Sequence, residues 1–258
     1  MKLISIVFSF KNEEKNLPEL IERTVKVFSE IKNWNYELLF VNDFSTDDSE
    51  KILIKFQKEH PITVINMSRN FGVGPCVIAG FNHAKGDAII YMDSDLQDPP
   101  ELIKKLILEH ESGAEIVHTV RTKRLGESKP KLFITNLAYR FINFFSDIPL
   151  PINAGDFKLI SRRALDQILE LKEVRPYIRG LSVWVGFKQS RVYYIREARG
   201  SGQSQFSLFG HGPVNEFITG LTSHSLKPLY IGIILGFVSI LISLLLIIHT
   251  FYAKFNDL

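Results

Sequence analysis

One cysteine, Cys76, stands in a chain of 258 residues, so no internal disulfide framework is possible and nothing in the sequence calls for an oxidising compartment. Strong charge of either sign is also missing. The formal net charge is +3, too small to argue for a nucleic-acid partner, and charged residues are spread along the chain rather than gathered in blocks. There is no internal repeat and no low-complexity tract. The N-terminus, MKLISIVFSF, has neither the charged, apolar and small-residue succession nor the cleavage site of a secretory signal. Long apolar runs are absent until the end, where Leu229 to Tyr252 is essentially uncharged and long enough to cross a hydrocarbon core of ~30 Å. One transmembrane helix is expected there. The basic stretch before it outweighs Lys254 after it, which places the large N-terminal part in the cytosol. The expected organisation is a folded domain over 1–226 and a membrane segment with a short tail over 227–258.

Apolar residues make up 45% of the chain, enough for a sizeable core. Strand-like and helix-like stretches alternate through the first half. Strands are expected at Leu3–Phe10, YELLFVND, ITVINM, DAIIYMD and EIVHTV. Helices are expected after Asn16, over Ser49–Lys58, from Pro75 to a stop at Gly86, and from Asp98 as an acidic cap followed by Pro99 and Glu101. The expected fold is α/β, a mainly parallel sheet covered on both faces, with ligands bound beyond the carboxyl ends of its strands. Further on, about 131–147 and about 206–226 are aromatic-rich and amphipathic. They fit either core helices or helices lying at a bilayer surface.

The chemistry-bearing stretch is YMDSDLQDPPE, Tyr91 to Glu101, with four carboxylates and no basic neighbour. Two ionised carboxylates held close need a compensating cation. In an extended chain Asp93 and Asp95 share a face, and Gln97 continues the alternation with a neutral oxygen. Mg²⁺ or Mn²⁺ suits one or two carboxylates and fills its shell with water and phosphate oxygens. Asp98 reads instead as a helix cap. A second acidic turn, VNDFSTDD, lies at another strand end. There Asp43 can accept from a base or ribose, and Asp47 or Asp48 caps a helix. Arg121 and Arg124, after the fifth strand, and Arg199 are candidates for cradling phosphates. From Arg175 through Arg179, Lys188, Arg191, Arg196 and Arg199 to Lys227, only Glu197 and Glu216 oppose the positive charge, a surface suited to an anionic lipid head.

The run SRNFGVGPCVIAGFNHAKGDAIIYMDSDLQDPPEL, with VNDFSTDD upstream and NEE at Asn12–Glu14, resembles the family 2 glycosyltransferases of GT-A fold. The nearest subgroup is the polyprenyl-phosphate glycosyltransferases, which includes bactoprenol glucosyltransferases and dolichol-phosphate mannose synthases. NAGDFKLISRRALD, RGLSVWVGFKQ and REARGSGQS extend the resemblance almost to the apolar segment. It implies a nucleotide-sugar donor, with UDP-glucose favoured over GDP-mannose, a polyprenyl phosphate acceptor at the bilayer, inversion at the sugar carbon, and a tetramer-like homo-oligomer. Carried over by position, Asp43 binds the nucleoside, with Asn12, Glu13, Arg69 and Ser204 on the substrate side. Asp93 lies by the donor, Asp95 and Gln97 ligate the cation, and Asp156 lies near the reacting centre. Family members usually have Pro and Tyr where this chain has Ser9 and Lys11, and Lys-Tyr at Gln205-Phe206. Phe44 replaces the glycine of a D-G-S turn, where a bulky residue is expected to need a different backbone angle.

Three other functions are weighed by the same residues. A dinucleotide-binding oxidoreductase is disfavoured, because GVGPCV puts Val77 where the fingerprint needs its third glycine. A catalytically silent binder of polyprenyl phosphate or nucleotide sugar is disfavoured by the intact acidic set. A transferase with a glycan acceptor differs only in what it glycosylates.

Overall fold

The computed structural model describes residues 1–124, 129–151, 153–197 and 211–255. Its centre is a sheet of seven strands among those residues: β1 (Lys2–Phe10), β2 (Trp34–Asn42), β3 (Ile62–Asn66), β4 (Ala88–Asp93), β5 (Ile116–Arg124), β6 (Ala154–Ser161) and β7 (Gln189–Arg196). Their order is β3-β2-β1-β4-β6-β5-β7. Neighbours pair in parallel except at β6, which runs antiparallel to both β4 and β5.

Period-two alternation explains why the sheet is covered on both faces. In β1, Ile4, Ile6, Phe8 and Phe10 enter one apolar layer, where α1 (Leu17–Ser29), α2 (Ser49–Phe56) and α4 (Ile103–Glu111) pack. Val7 enters the opposite layer, beneath α3 (Val73–His83), α6 (Arg162–Glu170) and α7 (Ile178–Trp184). The rings of Phe8 and Phe40 stack with centroids 4.6 Å apart at the heart of the first layer. In the second, α3 lies so close to β1 that a Cβ at Gly80 would stand 2.3 Å from a methyl of Val7.

Two helix starts differ from the sequence expectation. α3 begins at Val73, after Gly72 at φ +88°, and ends at His83. Pro75 is therefore its third residue, and Gly86 lies beyond its end, where a Cβ would meet the backbone of Ser5 at 2.6 Å. Asp98 caps nothing. Pro99 precedes a 3₁₀ turn at Pro100–Leu102, from which α4 continues, while Asp98 is fully buried. At the other acidic turn Asp48 stands at the N-cap of α2 without a side-chain cap bond, and Asp47 accepts the N–H of Ser49, the helix's first residue, at 3.1 Å.

Three further helices form a separate layer. α5 (Lys129–Phe145) and α8 (His211–Thr222) pack on each other, with Ile142, Phe217, Leu150 and Tyr177 forming a small third core. α5 turns Phe133 and Phe144 outward, 70% and 77% exposed. α9 (Lys227–Phe255) has 29 residues with mean hydropathy 3.1 over its most apolar window, and none of that window is buried. Among the described residues it is the helix long and apolar enough to cross a membrane. Lys227 ties its start to α5's end, donating to the carbonyl of Phe145 at 3.2 Å and pairing with Asp147 at 2.9 Å.

Candidate active site

β6 decides the site. Because it runs against its neighbours, its first residues lie where the parallel strands finish. Tyr91 pairs with Lys158, and the same register continued by two residues brings Asp93 opposite Asp156. Like charges facing across a ladder repel. Both carboxylates lie on the α3/α6/α7 face, in phase with Tyr91 and Ile160. Burial, then repulsion from Asp95, Asp156 and Asp98, pushes the Asp93 carboxyl up to about 7. Tyr91 donates to Asp93 Oδ1 at 3.1 Å, and the Ser9 hydroxyl lies 3.1 Å from the Tyr91 oxygen. Ser9, a departure from the family pattern, is thus part of a hydroxyl chain that ends on Asp93.

Strand alternation stops at Asp93. The next five residues are bends, with Leu96 at φ +60°, a conformation that costs a side-chain-bearing residue ~1–2 kcal/mol. Asp95 and Gln97 are therefore not aligned as successive residues of one strand. Their relation is set by a turn in which Asp95 Oδ1 accepts the N–H of Gln97 at 3.2 Å.

Behind this loop sits Asp98. Arg121 Nη2 reaches its Oδ2 at 3.4 Å, Arg196 Nε lies 3.5 Å from Oδ1, and the Tyr194 hydroxyl donates to Oδ1. Arg121 also donates from Nε to Tyr194 at 3.0 Å and is almost fully buried. The expectation that Asp98 is a solvated cap is therefore wrong. The competing cations stand on β5 and β7, far off in sequence, and a buried carboxylate without them would be strongly destabilising. Arg121 and Arg196 face this interior carboxylate rather than forming part of an open basic surface. Burial works against the Asp156 ion, but Arg179, Lys158 and Arg121 outweigh it and hold its carboxyl below the usual range. Lys158, entirely buried, is lowered to about 8 by desolvation, against the pull of Asp156.

The second acidic turn lies at the end of β2. Asp43 is nearly buried, and its oxygens accept from Asn70 Nδ2 at 2.6 Å and from the N–H groups of Phe71 and Gly72 at 2.7 and 2.9 Å. It clamps the loop that enters α3. Cys76 lies beside it, its thiol pushed up by burial and by that carboxylate. Asn12 Oδ1 accepts the N–H of Thr46 at 2.8 Å, and Glu13 N–H donates to Ser49 Oγ at 3.0 Å, so NEE and STDDS hold one another. Phe44 takes φ +64°, the left-handed angle expected of the glycine it replaces, rather than a different one. Arg69 is exposed, its guanidinium 3.9 Å from the centre of the Phe71 ring. Arg124 ends β5. Arg199 and Ser204 lie outside the described residues.

The residues fit a divalent cation that is only partly held by protein. Among the described residues no group of three His, Cys, Asp or Glu side chains is arranged to grip an ion alone. Burial, with Asp95 and Asp156 close by, nonetheless raises the Asp93 carboxyl to about 7, so the site favours a nearby positive charge. Mg²⁺ and Mn²⁺ bind in that manner, through one or two carboxylates and substrate phosphates.

A parallel sheet with one reversed strand, and carboxylates gathered where its strands end, defines an α/β glycosyltransferase of the GT-A kind. The family model for Glycosyl transferase family 2 matches residues 5–169, and the chain belongs to that family. It is 41% identical over 254 residues to "Uncharacterized glycosyltransferase YkcC" of Bacillus subtilis (strain 168), covering 95% of this chain and 78% of that protein. It is 36% identical over 252 residues to "Bactoprenol glucosyl transferase" of Shigella phage SfV, covering 96% and 81%. Among solved structures, glucosyl-3-phosphoglycerate synthase from Mycobacterium tuberculosis, in complex with Mn²⁺, UDP-glucose and phosphoglyceric acid, aligns with TM-score 0.54 at 16% identity over 85% of this chain and 80% of that one. S. aureus TarS 1–349 aligns with TM-score 0.52 at 18% identity, and the alignment takes in 76% of this chain and 60% of TarS 1–349. At such identities the likeness is one of fold.

Proposed function

We propose that this glycosyltransferase moves a hexose, glucose from UDP-glucose, onto a polyprenyl phosphate (undecaprenyl or dolichyl) with inversion, at the cytosolic face of the cell membrane. The carrying observation is the meeting of Asp93, Asp95 and Asp156 at the strand ends, in a chain that also has a helix fit to span a bilayer. A relative named for bactoprenol glucosyl transfer, alike over nearly the whole chain, supports the choice of acceptor and sugar.

In this reading Asp43 presents its remaining lone pairs to the nucleoside, held rigid by the three N–H groups it accepts. Asn12, Glu13 and Arg69 are assigned to the substrate side in the same reading. Asp95 and Gln97 hold Mg²⁺ or Mn²⁺, which when bound supplies positive charge for the departing diphosphate. The acceptor phosphate is ionised at neutral pH. Its oxygen forms the new bond to the anomeric carbon as the bond to the diphosphate breaks, and the electron pair leaves with the diphosphate. No proton has to be removed, so Asp156 positions and stabilises rather than deprotonates. Arg121 serves by holding Asp98 beneath the acidic loop, while Arg124, Arg199 and Ser204 are left to the phosphates. Residues 1–226 carry the chemistry, with α5 and α8 lying in the interface, and α9 spans the bilayer.

The test is transfer of labelled glucose from UDP-glucose, with and without undecaprenyl phosphate and with and without a chelator. Product is expected only with lipid and cation together. Asp95→Asn should reduce turnover roughly 100-fold or more, with the thermal transition unmoved. Turnover indifferent to both lipid and cation would sink the proposal.

A further inference from the structure

Asp156 is paired with Arg179. The guanidinium, second in α7, donates from Nε to Oδ1 at 2.9 Å and from Nη2 to Oδ2 at 2.5 Å, the side-by-side geometry of a strong charge-assisted pair. Its Nη1 donates to the hydroxyl of Tyr139 at 2.5 Å, and its central carbon lies 5.9 Å from that ring's centre. Tyr139 belongs to α5, the helix that exposes Phe133 and Phe144. The next residue of α7, Gly180, lies so close to the turn between α8 and α9 that a Cβ there would stand 1.9 Å from His224 Nε2. Two segments bordering the apolar helix, α5 and the turn before α9, therefore converge on the element that carries Arg179.

These bonds use three of the five N–H groups that a guanidinium offers. Arg179 and Asp156 keep 22% and 21% of their side-chain surface exposed, so the pair is not sealed from solvent. Lys158, two residues from Asp156 on the same face, is entirely buried, and Arg121 and Arg196 are turned onto Asp98. A phosphate approaching Asp93, Asp95 and Asp156 meets three carboxylates and is repelled unless a cation stands between. Among the described residues, Arg179 is the cation that touches Asp156 and still faces outward.

We infer that Arg179 binds the acceptor's phosphate through its remaining N–H groups while it holds Asp156, with Tyr139 fixing the plane of the guanidinium. The inference rests on the proposed polyprenyl phosphate acceptor and adds the residue that receives it. One guanidinium then separates the nucleophilic phosphate from the carboxylate and sets the distance of both from the sugar.

The experiment uses the full chain in detergent with UDP-glucose, Mn²⁺ and undecaprenyl phosphate, and compares wild type with Arg179→Gln, Arg179→Lys and Tyr139→Phe. Arg179→Gln should raise the acceptor KM roughly 10–100-fold and lower kcat, because charge-assisted bonds are lost. Donor Kd, measured calorimetrically without acceptor, should stay within about twofold. Arg179→Lys should recover part of the loss, since it restores charge but not the planar fork. Tyr139→Phe, which keeps every charge, should raise acceptor KM by roughly two- to fivefold with donor Kd unmoved. An unchanged acceptor KM in Arg179→Gln, or equal weakening of donor and acceptor, overturns the inference and leaves the proposed function standing. If Arg179→Gln has no thermal transition, Tyr139→Phe decides, and an unmoved acceptor KM there overturns it equally. A wild-type chain that makes no lipid product overturns the proposed function and this inference with it.

Discussion

At the scale of single residues, the molecule spends conformational and electrostatic strain close to its carboxylates. Asp98 is shut off from solvent and relies on Arg121, Arg196 and Tyr194. Asp98→Asn should leave two guanidinium groups facing a neutral amide and cost roughly 3–5 kcal/mol in urea unfolding. A loss under about 1 kcal/mol would show that the buried cluster contributes little. Phe44 supplies a second test. At φ +64° with its ring half exposed, it bears a backbone cost that glycine does not. Phe44→Gly should be neutral or stabilising by up to about 1 kcal/mol. Phe44→Val, branched at Cβ, should be the less stable of the two by about 1–2 kcal/mol. That angle follows from where the loop must go.

Elements show the same dependence on distant partners. β5 carries His118, buried, with Nε2 3.0 Å from Gln189 of β7 and Nδ1 without a hydrogen-bond partner. Burial, with Lys158 nearby, lowers it to about 3. Between pH 3 and the ordinary value near 6.5 the unfolded chain therefore binds a proton that the folded chain refuses. Stability should be lost as pH falls through that window and be flat above it, with a slope approaching ~1.4 kcal/mol per pH unit from this group. Unfolding at pH 7 and pH 5 should show a smaller acid loss in His118→Gln than in wild type. Equal losses would place the acid sensitivity elsewhere. α5 is open to change at Phe133 and Phe144 without loss of fold, because both touch water rather than core. The double change Phe133→Glu and Phe144→Glu should weaken sedimentation with vesicles in a chain truncated after Ser225, roughly tenfold or more, and leave the melting temperature alone. Unchanged partition would remove α5 from the interface.

For the whole molecule, much was legible in advance. Apolar residues on both faces of β1, β2 and β4 mark strands covered on both sides, and the acidic turns stand at the ends of β2 and β4, where ligands of parallel sheets bind. The motif around Asp93 and Asp95 led to the family, which the match over residues 5–169 bears out. Less was legible beyond residue 130, where the chain leaves strict strand–helix alternation and strand direction has no local signature. A ligand screen suits this scale. Mn²⁺ with UDP-glucose should raise the melting temperature more than either alone, since ligands that bind only the folded form stabilise it by mass action. Equal shifts with GDP-mannose would leave the donor undecided by binding and return the question to turnover.

What the sequence by itself determined is local: which segments bury both faces, where carboxylates end a strand, and that Lys227–Phe255 contains an apolar helix of spanning length. Side-chain type and spacing along the chain carry that information. Tertiary structure alone decided that β6 runs backwards, setting Asp156 against Asp93, that Asp98 is an interior ion, and that Arg179 rather than Arg121 faces the site. The last two depend on charges tens of residues apart finding one another in a medium that screens them poorly, and no window of neighbouring residues contains that energy.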